Sequence, residues 1–105
     1  TLLMGFHCHQ PVGNFHSVLR RACADCYGPL LEELARFPGF RFGLHMSGYL
    51  LEWIRQEEKG IHGLIGELAG RGQAELLTAG FYEPILSVIP PEDALEQINP
   101  YPKRV

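Results

Sequence analysis

His7 and His9, one residue apart in His7-Cys8-His9-Gln10-Pro11, are the groups in this sequence best suited to chemistry. In an extended strand alternate side chains share a face, so the two imidazoles point together while Cys8 points away. An imidazole changes charge near neutral pH and can donate, accept or ligate. Two of them side by side can orient a polar substrate, move a proton, or hold a metal with a third donor. Asp25, Glu75 and His45 are the third donors the pattern offers. A plainer reading, two hydrogen-bonded histidines at a strand end, fits the same spacing. Polar groups that cap an apolar strand are costly unless used or paired.

Two further stretches carry polar groups to similar places. In Gly72-Gln73-Ala74-Glu75-Leu76-Leu77, strand alternation predicts Gln73, Glu75 and Leu77 on one face. A carboxylate in mid-strand must be paired, hydrated in a pocket, or neutral, unless the strand is an edge open to water. Gly80-Phe81-Tyr82-Glu83-Pro84 follows as an aromatic, acidic loop at the same strand end. Its rings would give a sugar a stacking surface, and rings also simply pack loops. Cys23-Ala24-Asp25-Cys26 has the spacing of a redox or zinc half-site, but it falls in an apolar helical stripe without a second cysteine pair, and reads as core. Trp53 reads as core as well, and Arg20, Arg21, Lys103 and Arg104 as solvated charges.

The elements that must position these groups alternate along the chain. Leu2 to His9 is a continuous apolar run, which suits a strand covered on both faces of a parallel sheet. Val18, Leu19, Ala22, Cys23, Cys26, Tyr27, Leu30, Leu31 and Leu34 then recur at helical steps. Pro29 interrupts them and predicts a kink, or a second helix with proline in its first turn. Phe40 to His45 reads as a second strand, and Ser47 as the cap of a helix carrying Tyr49, Leu50, Trp53 and Ile54. Gly60 is the expected break before the stripe of Ile61, Leu64, Ile65 and Leu68. Gln73 to Thr78 is the third strand, a loop runs from Ala79 to Pro90, and Pro91-Glu92-Asp93 opens a last helix. This order is the beginning of a parallel α/β structure, whose sites lie at the C-terminal strand ends.

Composition excludes several alternatives. Nine Lys and Arg against twelve Asp and Glu leave 105 residues with a net charge of −3, too acidic for nucleic acid as a main partner. With 46% apolar and 20% charged residues the chain is neither disordered nor, lacking a run of ~20 apolar residues, membrane-spanning. Three cysteines are too few and too odd for a disulfide scaffold, which points to a reducing, cytoplasmic setting.

Taken together, HCHQPVGNF, FGLHMSGYLLEWI and GQAELLTAGFYEPIL, in this order and spacing, resemble the N-terminal part of glycoside hydrolase family 57, a family of α-amylases, 4-α-glucanotransferases, amylopullulanases and branching enzymes. The resemblance covers Leu2 to Ile98. It implies α/β architecture of a particular kind, a seven-stranded (β/α) barrel of which residues 1–105 supply the first three β/α units with no internal domain boundary. It also implies retaining chemistry on the α-glucosidic bonds of starch, glycogen or maltooligosaccharides, with no cofactor and no metal. His9 and Glu75 would face the sugar next to the scissile bond, with His7 and Gln10 beside them. Cys8 stands where the family often has a small polar residue, and Thr78-Ala79-Gly80 where a run of glycines is usual. The nucleophile and the acid/base belong to later signatures, so no catalytic residue is expected in this chain. Retaining hydrolysis needs two carboxyl groups about 5–5.5 Å apart, and neither Glu75 nor Glu83 is assigned to that pair. The implied partners are an α-glucan, the remainder of the barrel, and, for the chain alone, a second copy against an inner face carrying Leu3, Phe42 or Leu44 and Leu77. Two alternatives stay open: a zinc-dependent deacetylase-like or mannosidase-like hydrolase with His7 and His9 as ligands, and a non-catalytic carbohydrate-binding or assembly module.

Overall fold

In a computed structural model that describes residues 1–99, three short strands run parallel in the spatial order β1-β2-β3: β1 (Gly5–Cys8), β2 (Phe42–Met46) and β3 (Ala74–Leu77). Each parallel crossover needs a helical connection. The first is α1 (His16–Ala22) and α2 (Gly28–Ala35), the second α3 (Gly48–Glu57) and α4 (Lys59–Gly70). A short helix, α5 (Pro91–Ile98), follows the loop after β3. Among the described residues no helix is long and apolar enough to cross a membrane.

The central strand shows how the core is organised. Phe42, Leu44 and Met46 are buried on one face of β2, while Gly43 and His45 are half-buried on the other. The helices pack on the first face, where Leu19, Leu31, Leu50, Ile54 and Leu68 join these residues in one cluster. The opposite face, with Gly5 and His7 of β1 and Glu75 and Leu77 of β3, is exposed at its flanks. Two expectations are corrected here. The sheet is covered on one face rather than both, and Phe42 and Leu44, at 3% and 2% exposure, belong to the covered face rather than the open one.

The stripe from Val18 to Leu34 folds as one winding segment with a wide turn inside it. Cys23–Tyr27 forms a π-helical turn between α1 and α2, closed by the Gly28 N–H donating to the Cys23 carbonyl. The buried members are Leu19, Cys23, Tyr27 and Leu31, spaced by four. Strict spacing by four drifts around a 3.6-residue helix, and a wider turn brings the stripe back toward the sheet. Val18 and Cys26 consequently fall outside it and are exposed, so Cys26 is not core. Pro29 stands in the first turn of α2, where no N–H is missed.

Between α3 and α4 the break is at Glu58, whose backbone leaves the helical region (φ −126°, ψ 63°), and Gly60 lies inside the first turn of α4. Gln73 does not share the face of Glu75. It is 2% exposed, and its amide nitrogen donates to the carbonyls of Leu34 (2.7 Å) and Phe37 (3.0 Å) after α2. The Arg71 guanidinium donates to the Gln73 side-chain oxygen Oε1 (2.9 Å), so the side chain brackets the end of α2 to the start of β3. α5 opens as expected, with proline in its first turn beside Glu92 and Asp93. Lys103 and Arg104 lie outside the described residues.

Candidate functional site

Register alone brings two of the histidines together. His7 of β1 pairs with His45 of β2, and His45 with Leu77 of β3, at the C-terminal edge of the sheet. Residues paired across parallel strands point to the same face, so the His7 and His45 rings stack with centroids 4.9 Å apart and planes within 8°. Their Nδ1 atoms are 2.7 Å apart, one carrying the proton and the other accepting it. His9, just past β1, continues the row, its ring 6.2 Å from that of His7 and inclined by 15°.

One carboxylate completes the cluster, and it is Glu83. Its oxygens contact His9 Nδ1, lie 3.4 Å from His45 Nδ1, and 3.6 Å from His7 Nε2. The loop after β3 delivers it by a series of anchors. Phe81 is buried against Gly48, whose N–H donates to the Phe81 carbonyl (2.9 Å). The Phe81 N–H donates to the Gln97 carbonyl and the Tyr82 N–H to the Gln97 side chain, both at 2.9 Å. A tight turn closed by Glu83 N–H on the Gly80 carbonyl then aims the side chain back over the sheet, with Glu83 at φ 55°. Burial holds His45 below its ordinary range, opposed by the Glu83 charge and reinforced by the neighbouring His7 and His9. The result is a carboxylate ringed by three imidazoles, able to donate and accept hydrogen bonds in several directions.

Gln10 is held at both ends. Its amide donates to Tyr27 Oη (3.1 Å) and accepts from Asn14 (2.9 Å), while Tyr27 Oη donates to the His9 carbonyl (3.3 Å). The side chain thus sets the path of the His9–Asn14 turn. A hollow of about 200 Å³ opens beside it, lined by His9, Gln10, Ser47, Tyr49, Phe81 and Tyr82. Ser47 stands at the N-cap of α3, but its hydroxyl makes no capping bond. The first amide of α3 goes instead to the Phe81 carbonyl, which uses the helix start to dock the loop.

Glu75 lies elsewhere on the same sheet face. It pairs with Gly43, two residues before the Leu77 level, so it sits roughly 6.6 Å nearer the N-terminal edge than the imidazole row. It is exposed, has no hydrogen bond or ion pair among the described residues, and borders a separate hollow of about 560 Å³ with Leu3, Gly5, Gly43 and Leu77. Asp25 pairs with Arg21 (3.2 Å) on the exposed side of the helical segment. Of the third donors weighed beside the two histidines, only His45 reaches the cluster. Strand alternation says nothing about a loop, so the sequence pattern assigns Glu83 no role. Cys8 and Cys23, within the core, are both pushed up to about 11 by burial, so at neutral pH they are thiols without nucleophilic character.

Comparison with known proteins gives a consistent set of relatives. Residues 3–103 match Glycosyl hydrolase family 57. The chain is 45% identical over 99 residues to an alpha-amylase of Pyrococcus furiosus, and 46% identical over 99 residues to a 4-alpha-glucanotransferase of Thermococcus litoralis. Each alignment covers 94% of this chain and 15% of the relative, so the chain spans about 15% of the length of the curated proteins it matches. The crystal structure of the Thermococcus litoralis 4-alpha-glucanotransferase is similar over 96% of this chain and 16% of that one, with a TM-score of 0.92 and 44% identity.

Proposed function

The chain belongs to glycosyl hydrolase family 57, and from that premise we propose that residues 1–105 form the first three β/α units, undivided, of a seven-stranded barrel that cleaves or transfers α-glucosidic bonds with retention. The proposed substrate is an α-glucan such as starch, glycogen or a maltooligosaccharide. What carries this reading is the imidazole–carboxylate row at the C-terminal sheet edge, beside a hollow lined by Tyr49, Phe81 and Tyr82. Sugars are bound by rings that stack on their faces and by charged groups that bond their hydroxyls.

In this reading His9 and His7 hydrogen-bond the sugar next to the scissile bond, and Glu83 fixes their orientation. The exposed carboxylate of Glu75 is available to hydroxyls reaching deeper over the sheet. Gln10 acts through the turn it braces. These groups hold the sugar and stabilise charge as the bond breaks. The nucleophile and the acid/base come from later strands.

A chimera tests this. Residues 1–105 are substituted for the matching segment of the Thermococcus litoralis 4-alpha-glucanotransferase, and glucan transfer between maltooligosaccharides is measured. Transfer is expected to persist. In the same background Glu75→Gln is expected to lower kcat/KM by about 10- to 100-fold, the loss of one charge-assisted hydrogen bond of roughly 1.5–3 kcal/mol. A folded chimera without transfer would overturn the assignment, and unchanged kinetics of Glu75→Gln would return that residue to a structural role.

A further inference from the structure

We infer that His7, His45 and Glu83 form a binding site for a divalent first-row transition metal, zinc by the chemistry of the donors. One ligand atom from each lies within 4.8 Å of the others. Two imidazole nitrogens and a carboxylate oxygen are a donor set that suits zinc, whereas calcium and magnesium ask for oxygen alone. Tetrahedral zinc with bonds near 2.0–2.1 Å places its ligand atoms roughly 3.3 Å apart. His45 Nδ1 is 2.7 Å from His7 Nδ1 and 3.4 Å from Glu83, distances that lie either side of that spacing, and Glu83 is 3.6 Å from the other ring nitrogen of His7, Nε2; a metal takes one of the two His7 nitrogens.

The fold holds the donors in place. Two of them are register partners on adjacent strands, which fixes the spacing of their backbones. The third is delivered by a loop anchored at Phe81. His9 contacts the other oxygen of Glu83, the outer-sphere bond that orients a ligating carboxylate. His7, with its side chain 59% exposed, leaves the cluster open to solvent, so a metal can reach it and keep a water in its fourth position. The site differs from a His7 and His9 pair in that His9 is a supporting group and His45 the second nitrogen. It does not depend on the glucan reading: of the sugar-contacting groups only His7 is shared, so bound zinc and a sugar compete for that one side chain.

The full chain, free of any affinity tag, is titrated with zinc by calorimetry and by competition with a chromogenic chelator. One zinc per chain with micromolar or tighter affinity is expected. His45→Ala and Glu83→Gln should each weaken it by about a hundredfold or more, His9→Ala by about tenfold as an outer-sphere partner, and His62→Ala not at all. X-ray absorption at the zinc edge of the unaltered chain should show imidazole nitrogen and oxygen only. Absence of micromolar binding would overturn the site. So would binding that His45→Ala and Glu83→Gln leave intact, or sulfur in the coordination sphere from the exposed Cys26. The absorption spectrum needs no variant, and decides the matter even if the variants fail to fold.

Discussion

Glu83 adopts φ 55°, a left-handed backbone that costs a non-glycine residue roughly 1–2 kcal/mol. Its carboxylate offsets this through its contacts with three imidazoles, since a hydrogen bond to a charged group contributes about 1.5–3 kcal/mol and the side chain here is only 19% exposed. Glu83→Gln keeps the shape and removes the charge, and is expected to lower the urea midpoint by the equivalent of about 1–2 kcal/mol. An unchanged midpoint would mean that the loop anchors alone hold the turn. His45 gives the cluster a pH dependence with a definite sign. Its folded-state value is lowered, chiefly by burial, so on acidification the unfolded chain takes up this proton first. The stability it contributes is complete above the ordinary imidazole value near 6.5 and is lost as pH falls below it. The urea midpoint should therefore drop between neutral and mildly acid pH, and drop less in His45→Gln; equal slopes would remove His45 from the account. A thiol reagent on the folded chain should label Cys26 alone, because Cys8 and Cys23 are buried and held as thiols. His7 and His9 were legible as a pair because strand alternation is a local rule. Glu83 was not, because the position of a loop carboxylate depends on where Phe81 docks, a contact 33 residues away from Gly48 in the chain.

The loop after β3 is thus the element that converts a row of histidines into a site, and its hold on α3 is testable. A Cβ on Gly48 would lie 2.6 Å from both Cε2 and Cγ of Phe81, closer than real contacts allow. Gly48→Ala is expected to cost about 1–3 kcal/mol by overpacking and to move the ring outward, carrying Glu83 with it. Thermal melts would read the first effect, and the loss of the Glu83 contacts should appear as shifted His7 and His45 ring resonances. Melting loss without ring shifts would show that Glu83 is placed independently of Phe81. The same logic applies to Gln73, which the strand pattern assigned to the Glu75 face. The residue precedes β3, so alternation does not govern it, and its amide instead answers two carbonyls left over at the end of α2. The order of elements was readable because each stripe and each Gly or Pro acts within a few residues. The π turn at Cys23–Tyr27 and the break at Glu58 were not, since both adjust helices to a sheet that forms from distant segments.

At the scale of the molecule, the helices bury one sheet face and leave the other to water. Leu3 is 91% exposed, Leu2 75% and Leu77 43%, all along the hollow that Glu75 borders. Among the described residues β1 and β3 are both edge strands, and the unpaired N–H and C=O groups of an edge are a template for another strand. α5 adds Leu95 at 59% and Ile98 at 43% on a helix that buries no residue among those described. Exposed apolar side chains gathered along a hollow normally meet a partner, and in the proposed barrel that partner is the remaining wall. Two of the expected residues make this face and two do not. Leu3 and Leu77 flank it, but Phe42 and Leu44 face the helices, because β2 alternates cleanly about Gly43 and His45. The isolated chain is therefore expected to associate as its concentration rises, which sedimentation velocity would show as a concentration-dependent shift to larger species. Leu3→Glu with Leu77→Lys places charges on the open face without touching the helical core. If that face drives association, the double variant should sediment as a monomer while keeping the melting temperature of the original at low concentration. If association survives in the double variant, the contact lies elsewhere, at an unpaired edge or along α5. A monodisperse monomer with a sharp melt in the unaltered chain would show that the open face needs no partner, and would count against the barrel as its destination.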